Sequence, residues 1–357
     1  LNSMGFNLTR SIGPALGGVV VAVVGTAAAF AINAFSYIPM ILSVRRWKPT
    51  PRDTTLPRES LGLAIRAGLR YVVMSPNQLI IMARGFLFTL CSISVLALMP
   101  LIARDVLSGT SITFGLLLGA YGTGAIIGGL FSTRLRVRYG NEAIARGAVI
   151  TFALSAGLIS FSQLTWVTTL ALLPAGGSWL LILSMLNASI QLMTPKWVMG
   201  RSLSLYQTAN FGGMAAGSAL WGAVANLSSP QSAVLIAAGA LSLNLLFGLR
   251  FPLDQFGAAD LDPLDTFIEP QLATTLSPQS GPITITVEYE IDAKDVQTFL
   301  TLMSDRRRIR IRDGARHWSL SRDLEQSHHW IERYTVPTWV EYVRHHKRRT
   351  KTDAENG

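Results

Sequence analysis

Eight stretches of mostly apolar residues, each about 18 to 26 residues long, fill the first 250 positions of the chain. Each is long enough to cross the ~30 Å hydrocarbon core of a bilayer as an α-helix. Most of them lack the polar stripe at helical period that a long core helix of a soluble protein carries. The sequence therefore predicts an all-α membrane helix bundle with spans at residues 4–24, 27–44, 79–103, 112–133, 147–163, 167–188, 203–226 and 232–249.

The connection at residues 46–78 shows a different pattern. Its apolar side chains recur at four-residue spacing, with arginines between them, at Leu61, Ile65, Leu69 and then Val72 and Val73. That spacing predicts an amphipathic helix lying at the membrane surface.

After the last span the composition changes. Residues 251–282 contain five prolines and five acidic residues without a long apolar run, which predicts a flexible linker. Beyond it the pattern predicts strands at 283–291, 315–321 and 330–336 and helices at 292–308 and 338–346. The order β-α-β-β-α predicts a small ferredoxin-like α+β domain over residues 283–357.

The charges alternate from loop to loop. The chain carries a net charge of +10, and residues 1–250 hold 17 Lys/Arg against 4 Asp/Glu. The basic residues lie in every second loop, which is the positive-inside pattern of membrane proteins. We therefore expect the loops at 46–78, 134–146 and 189–202 and the tail to be cytoplasmic. This explanation of the basic clusters argues against nucleic acid as a partner.

Charged and strongly polar side chains are rare in the predicted spans. The only formal charge that we place within a span is Arg84, which is expected to extend to the lipid headgroups, with a functional role as the alternative. Four uncharged polar residues are candidates for the substrate path, although hydrogen bonds between helices are their default role: Asn33, Asn187, Gln207 and Asn210. Glu142 is assigned to a cytoplasmic loop, so no span carries the carboxylate that proton coupling usually needs.

The tail offers little sign of catalysis. All five histidines lie there, but His328 and His329 are strand neighbours and should face opposite ways, so no metal site is predicted. Trp318, Trp330 and Trp339 are expected in a core or dimer interface, with an oxygenase-like pocket as the alternative. The arginines between residues 306 and 312 are expected to form a solvated face. Cys91 is the only cysteine, which excludes an intrachain disulfide.

Several motifs carry a family resemblance. The first span has Gly13-Pro14-x-x-Gly17-Gly18, which permits close helix approach and a bend, and which resembles a signature of antiporters in the major facilitator superfamily. Residues 2–36 and 200–222 are similar to the transmembrane secretion effector branch of that superfamily, which includes enterobactin-exporter-like proteins.

The loop after the fourth span also resembles a superfamily motif. It contributes Gly128, Gly129, Arg134, Arg136 and Arg138, but Ser132 and Thr133 stand near the place of the usual acid. The departure puts an Arg–Asp gating contact in this loop in doubt.

The resemblance implies a major-facilitator-like fold in which the eight spans are helices five to twelve and the first four are absent. Residues 1–45 would then close the N-terminal half-bundle, and residues 79–250 would form the six-helix C-terminal half-bundle. The tail resembles antibiotic-monooxygenase-like domains appended to some members.

The implied function is efflux of siderophore- or drug-like small molecules across a bacterial inner membrane by alternating access, coupled to protons in the full-length parent, where the coupling carboxylate would lie on the absent helices. The expected partners are the bilayer, a small-molecule substrate and protons, with self-association through the tail left open. No cofactor, metal or catalytic residue is expected. The alternative is a membrane-anchored enzyme or interaction module whose activity lies in the C-terminal α+β domain.

Overall fold

A computed structural model describes residues 20, 24–48, 57, 59–253 and 276–348. The described helices before the tail are α1 (Thr26–Arg46), α2 (Leu61–Val73), α3 (Pro76–Leu101), α4 (Ser111–Phe161), α5 (Thr165–Leu192), α6 (Met199–Leu227) and α7 (Pro230–Arg250). A π-helical turn, Ile102–Val106, continues α3. Local sequence sets some of these bounds: α7 begins with Pro230, and the Ser229 side chain caps it by accepting the Ser232 N–H at 3.1 Å.

Within the described part of the chain, six helical stretches are long and apolar enough to cross a membrane. They are Ala27–Arg46, Pro76–Val106, Ser111–Ser132, Arg138–Phe161, Thr165–Leu192 and Pro230–Arg250. The predicted count of eight is thus not confirmed. The predicted span 4–24 lies outside the described residues, and the span 203–226 forms most of α6, whose glycines and polar residues lower its mean hydropathy.

Helix α4 contains two of these stretches joined at Gly140. Its 51 residues are helical except for Gly140, whose φ of 74° suits a residue without a Cβ. The second stretch begins at Arg138, nine residues before the predicted start at 147. Because helical geometry resumes directly after Gly140, Glu142 lies inside a candidate span, and its assignment to a loop was wrong.

The chain divides into two compact units. The helical unit comprises the described parts of Leu1–Pro51, Ile80–Ile190 and Tyr206–Gln255. The tail unit comprises the described parts of Arg52–Leu79, Gln191–Leu205 and Phe256–Gly357. The connecting segment, which was predicted as a separate loop, therefore groups with the C-terminal domain.

In the helical unit, glycines bring helix backbones together. A Cβ at Gly124 of α4 would overlap the Leu173 carbonyl of α5, and one at Gly217 of α6 would overlap the Leu90 carbonyl of α3. Trp221 donates its indole N–H to the same Leu90 carbonyl at 2.7 Å. Gly124 and Gly217 therefore permit close helix packing.

The tail unit contains a three-stranded antiparallel sheet. In chain order its elements are β1 (Ile283–Glu290), α8 (Val296–Asp313), β2 (Arg316–Arg322), β3 (His329–Val336) and α9 (Trp339–Arg348). The strand order is β1-β3-β2, with Ile283 opposite Val336 and Glu290 opposite His329. Phe299, Met303 and Trp330 form one buried apolar cluster between helix and sheet.

Candidate functional site: a buried arginine–glutamate pair

Arg84 lies within α3, and its side chain is buried, with a relative exposure of 1%. The expectation that it extends to the headgroups is therefore wrong. A long cation can lie inside a helical bundle when an acid pairs with it, because burying an unpaired charge costs several kcal/mol. Here the acid comes from α4.

Glu142 supplies that carboxylate and gathers three donors. The Arg84 Nη1 donates to Glu142 Oε2, and the Arg146 Nε donates to Glu142 Oε1 at 2.7 Å. The backbone N–H of Leu253, just beyond α7, donates to Oε2 at 2.9 Å. Glu142 is 17% exposed, so the carboxylate is largely shielded from solvent. One side chain thus links α3, α4 and the segment after α7.

Helix α7 completes this cluster. Asn244 is buried and donates its side-chain amide to the Arg84 carbonyl at 2.9 Å. One turn later, a Cβ on Gly248 would lie 2.8 Å from Arg84 Nη2 and 3.0 Å from Glu142 Oε1. A larger residue at this position would require both charged side chains to shift.

Two donors of Arg84 remain unsatisfied. Among the described residues, neither Nε nor Nη2 of Arg84 has a hydrogen-bond partner. The next residue, Gly85, faces Asn210 of α6, whose buried Oδ1 also lacks a partner in the described chain. Within the described chain, the arginine thus has donors and the amide an acceptor that are not yet used in a hydrogen bond.

The other predicted path residues do not join this cluster. Asn33 is exposed on α1, and Asn187 and Gln207 are half-buried on α5 and α6. An apolar cleft of about 460 Å³ between α4 and α5 is lined by none of the five polar candidates. The conformational motif Gly13, Pro14, Gly17 and Gly18 lies outside the described residues.

The loop-motif residues do not form the charge contact. Gly128 packs against Gly177 of α5, and Gly129 is half-buried. Arg134 and Arg138 are exposed, and Arg136 is half-buried. The carboxylate stands beyond Gly140, at Glu142, and it binds Arg84 and Arg146 instead.

Sequence reasoning missed this pair, although a signal existed. Between residues 79 and 250 the only acids are Asp105 and Glu142. Asp105 pairs with its exposed neighbour Arg104. Glu142 was then the one acid left to neutralise Arg84.

The tail holds a second buried carboxylate. Glu332 is fully buried and accepts hydrogen bonds from Tyr289 Oη at 2.7 Å, Trp318 Nε1 at 2.9 Å and Arg310 Nε at 3.3 Å. Burial alone would raise the pKa of Glu332, but these donors together with Arg306 outweigh it and hold the pKa below its ordinary value.

This cluster corrects part of the expected solvated arginine face, of which Arg307 and Arg308 are exposed. Arg310 is buried, and Arg306 and Arg312 are largely buried beside acids. Trp330 lies in the core as predicted, and Trp339 stacks on Tyr342 with ring centroids 5.1 Å apart.

The geometry of one histidine pair also differs from expectation. The side-chain ligand atoms of Glu290, His328 and His329 all lie within 4.8 Å of one another. The reason is that β3 begins at His329, so His328 belongs to the preceding turn and is not bound by strand alternation. Glu290 and His328 are exposed, and exposed groups of this kind are common without a metal.

Comparison with known proteins places this bundle in a family. The sequence profile described as "Transmembrane secretion effector" matches residues 1–356. The chain belongs to the transmembrane secretion effector family. This family is the branch of the major facilitator superfamily that the sequence motifs resemble.

Curated relatives agree with this assignment. The enterobactin exporter EntS of Salmonella typhi is 30% identical over 250 residues, which cover 67% of this chain and 58% of that protein. EntS of Shigella boydii serotype 18 is 28% identical over 261 residues, which cover 70% of this chain and 61% of that protein. The chain thus spans less than two thirds of these relatives' length. The relatives are exporters by name, and the family is one of secretion effectors.

Proposed function

We propose that this protein takes part in the efflux of small, siderophore- or drug-like molecules across a bacterial inner membrane by alternating access. The observation that carries the proposal is the buried Arg84–Glu142 pair inside a helical unit of an exporter-related family. A transporter alternates between two helix arrangements of similar free energy. A shielded ion pair with unused donors can be stronger in one arrangement than in the other, and can thereby change which arrangement is favoured.

Glu142 is also our candidate for proton coupling. Protonation would remove its negative charge and weaken the bonds from Arg84 and Arg146 at the same time, which would loosen α3 from α4. The same event would leave Arg84 free to bind an anionic group of a substrate. Asn210 and, more remotely, Gln207, Asn187 and Asn33 are the polar candidates for the rest of the path. In this proposal the coupling ion is a proton, exchanged for substrate.

The proposed fold has two further parts beyond the six candidate spans. We propose that residues 4–24 and 203–226 also span the membrane, which gives eight spans of a major-facilitator-like bundle. The tail order β-α-β-β-α supports a ferredoxin-like fold. A tail enzyme is not favoured, because the family and its relatives are transporters.

We further propose that loops 46–78 and 189–202, the tail, and residues 134–141 around the Gly140 break in α4 face the cytoplasm, on the strength of their basic residues. The single cysteine makes this testable, because Cys91→Ser leaves no thiol. Added to that background, Ser108→Cys should react with a membrane-impermeant maleimide in intact spheroplasts, and Asn141→Cys should react only after lysis. Labelling of both in intact cells would contradict this topology.

Efflux itself can be measured in cells that lack their own exporters of catecholate siderophores and amphipathic dyes. Cells that produce the protein should accumulate less of at least one such probe than vector controls do. A proton uncoupler should abolish the difference. Equal accumulation, with the protein shown to be in the inner membrane, would contradict the proposed function.

A further inference from the structure

The tail unit contains a cavity of about 390 Å³ between α2 and the C-terminal domain. Its lining includes two acids, Glu59 and Glu341, and five arginines: Arg66, Arg70, Arg316, Arg344 and Arg348. The lining therefore carries three more positive than negative charges. A volume of this size suits a small molecule or the head of a larger one.

Part of this positive charge is already neutralised. Glu59 pairs with Arg348 and lies 3.8 Å from the Arg344 Nε, and it also accepts from Arg201 Nη2 at 2.8 Å. Burial alone would raise the pKa of Glu59, but the charges and hydrogen bonds of Arg348 and Arg201 outweigh it and keep the pKa below its ordinary value. Glu341 pairs with Arg344 at 3.1 Å. Both acids of the lining are therefore already engaged in ion pairs with arginines other than Arg66, Arg70 and Arg316.

In the described part of the chain, the remaining three arginines of the lining form no ion pair with Glu59 or Glu341. Among the described residues, the guanidinium groups of Arg66 and Arg316 have no ion-pair partner, and both side chains are exposed at the cavity. Arg70 uses its Nε to donate to the Arg312 carbonyl at 3.1 Å, which fixes the rest of the group. Burial lowers the pKa of Arg70 and outweighs the attraction of Asp313 and Glu341, while the like charges of Arg348 and Arg316 lower it further. The cavity thus concentrates positive charge.

The turn after α8 leaves space for the Arg70 guanidinium. Gly314 ends α8 with a φ of 126°, and a Cβ there would lie 3.1 Å from Arg70 Nη2. Glycine at this position both permits the turn and leaves space for the guanidinium.

We infer that this cavity is a binding site for an anion of the phosphate class, held by Arg66, Arg70 and Arg316. Planar guanidinium groups bind phosphoryl oxygens through paired, charge-assisted hydrogen bonds. The three groups come from α2, which precedes the membrane bundle's last six spans, and from β2 of the tail domain. A bound anion would therefore fasten the connecting segment to the C-terminal domain. The phosphate could belong to a soluble metabolite or to a lipid headgroup, and both sources share this chemistry.

The test uses the full chain, purified in detergent, with two probes. Inorganic pyrophosphate is titrated by calorimetry, and phosphatidylglycerol is added before native mass spectrometry, with phosphatidylcholine as the comparison lipid. Saturable one-to-one binding of pyrophosphate indicates a soluble ligand, and selective retention of one phosphatidylglycerol indicates a lipid source. Either result supports the site.

Variants decide whether binding occurs at this cavity. R66Q and R316Q should each weaken binding roughly tenfold or more, since each removes a charge-assisted contact. R333Q is the matched control, because Arg333 is an exposed arginine of β3 that does not line the cavity. Absence of saturable binding of either probe would overturn the inference, and so would equal weakening by R333Q.

Discussion

At the scale of single residues, two carboxylates each gather several donors: the largely shielded Glu142 in the helical unit and the fully buried Glu332 in the tail unit. Glu142 gathers Arg84, Arg146 and a backbone N–H, and Glu332 gathers Tyr289, Trp318 and Arg310. Removing one partner of a buried pair leaves the other charge uncompensated, which typically costs about 3–5 kcal/mol. These positions should therefore tolerate substitution far less well than exposed pairs such as Arg308–Asp305.

Glu332 should make the stability of the tail depend on pH. Its pKa is lowered in the folded state, so its contribution is fully present above the unfolded pKa of about 4.3 and is lost as pH falls through the folded value. In the full chain, the segment 276–348 should become sensitive to pepsin as pH drops below about 4.3.

Glu332→Gln should destabilise the same segment by about 3 kcal/mol at neutral pH and flatten its pH dependence, because Arg310 loses its counter-charge. The exposed Glu288, which shares β1 with Tyr289, provides a control, and Glu288→Gln should behave like the wild type. An unchanged pH profile in Glu332→Gln would show that another group controls acid unfolding.

At the scale of elements, helix contacts depend on backbone approach at glycine. The crossing of α4 and α5 leaves no room for a Cβ at Gly124, whereas a Cβ at Gly119 on the same helix would meet nothing within 4 Å. We expect Gly124→Ala to lower the stability of the detergent-purified chain by about 1–3 kcal/mol through overpacking. Gly119→Ala should be neutral or stabilise by up to about 1 kcal/mol, since alanine favours helix. Equal melting temperatures for the two variants would contradict this packing.

The elements themselves were largely predictable because their signals are local. Hydropathy over some twenty residues located most spans, and alternation located the strands of the tail within a few residues. The pattern predicted a helix here, and α2 spans Leu61–Val73. Its apolar residues Leu61, Ile65, Leu69 and Val73 are exposed, while Ala67, Gly68 and Tyr71 are buried within the tail unit. We propose that the exposed stripe lies on the bilayer surface.

Contacts between distant residues were not predictable in this way. Arg84 and Glu142 stand 58 positions apart, and nothing in the local pattern brings them together. The start of the fifth predicted span was misplaced because Arg138, Asn141 and Glu142 are polar, although the helix resumes directly after Gly140. The two acids and five arginines around the cavity likewise come from three separate stretches of the tail unit, at 59–70, 316 and 341–348.

At the scale of the whole molecule, the helical unit of an exporter-related chain contains the shielded Arg84–Glu142 ion pair. If Glu142 takes part in proton-coupled movement of α3 against α4, its neutral analogue should still insert, because the spans and loop charges are unchanged. It should fail to couple a proton gradient to transport. Asp105 offers the matched control, because it is the only other acid between residues 79 and 250 and its ion pair with Arg104 is exposed.

The most direct measurement is proton-driven substrate flux into inside-out vesicles that contain equal amounts of the wild type, Glu142→Gln or Asp105→Asn. The probe is whichever siderophore or dye the wild type exports from cells. We expect Glu142→Gln to lose roughly tenfold or more of the flux, the factor that about 1.4 kcal/mol gives, and Asp105→Asn to stay near the wild type. Wild-type flux in Glu142→Gln vesicles would contradict the central role of the Arg84–Glu142 pair.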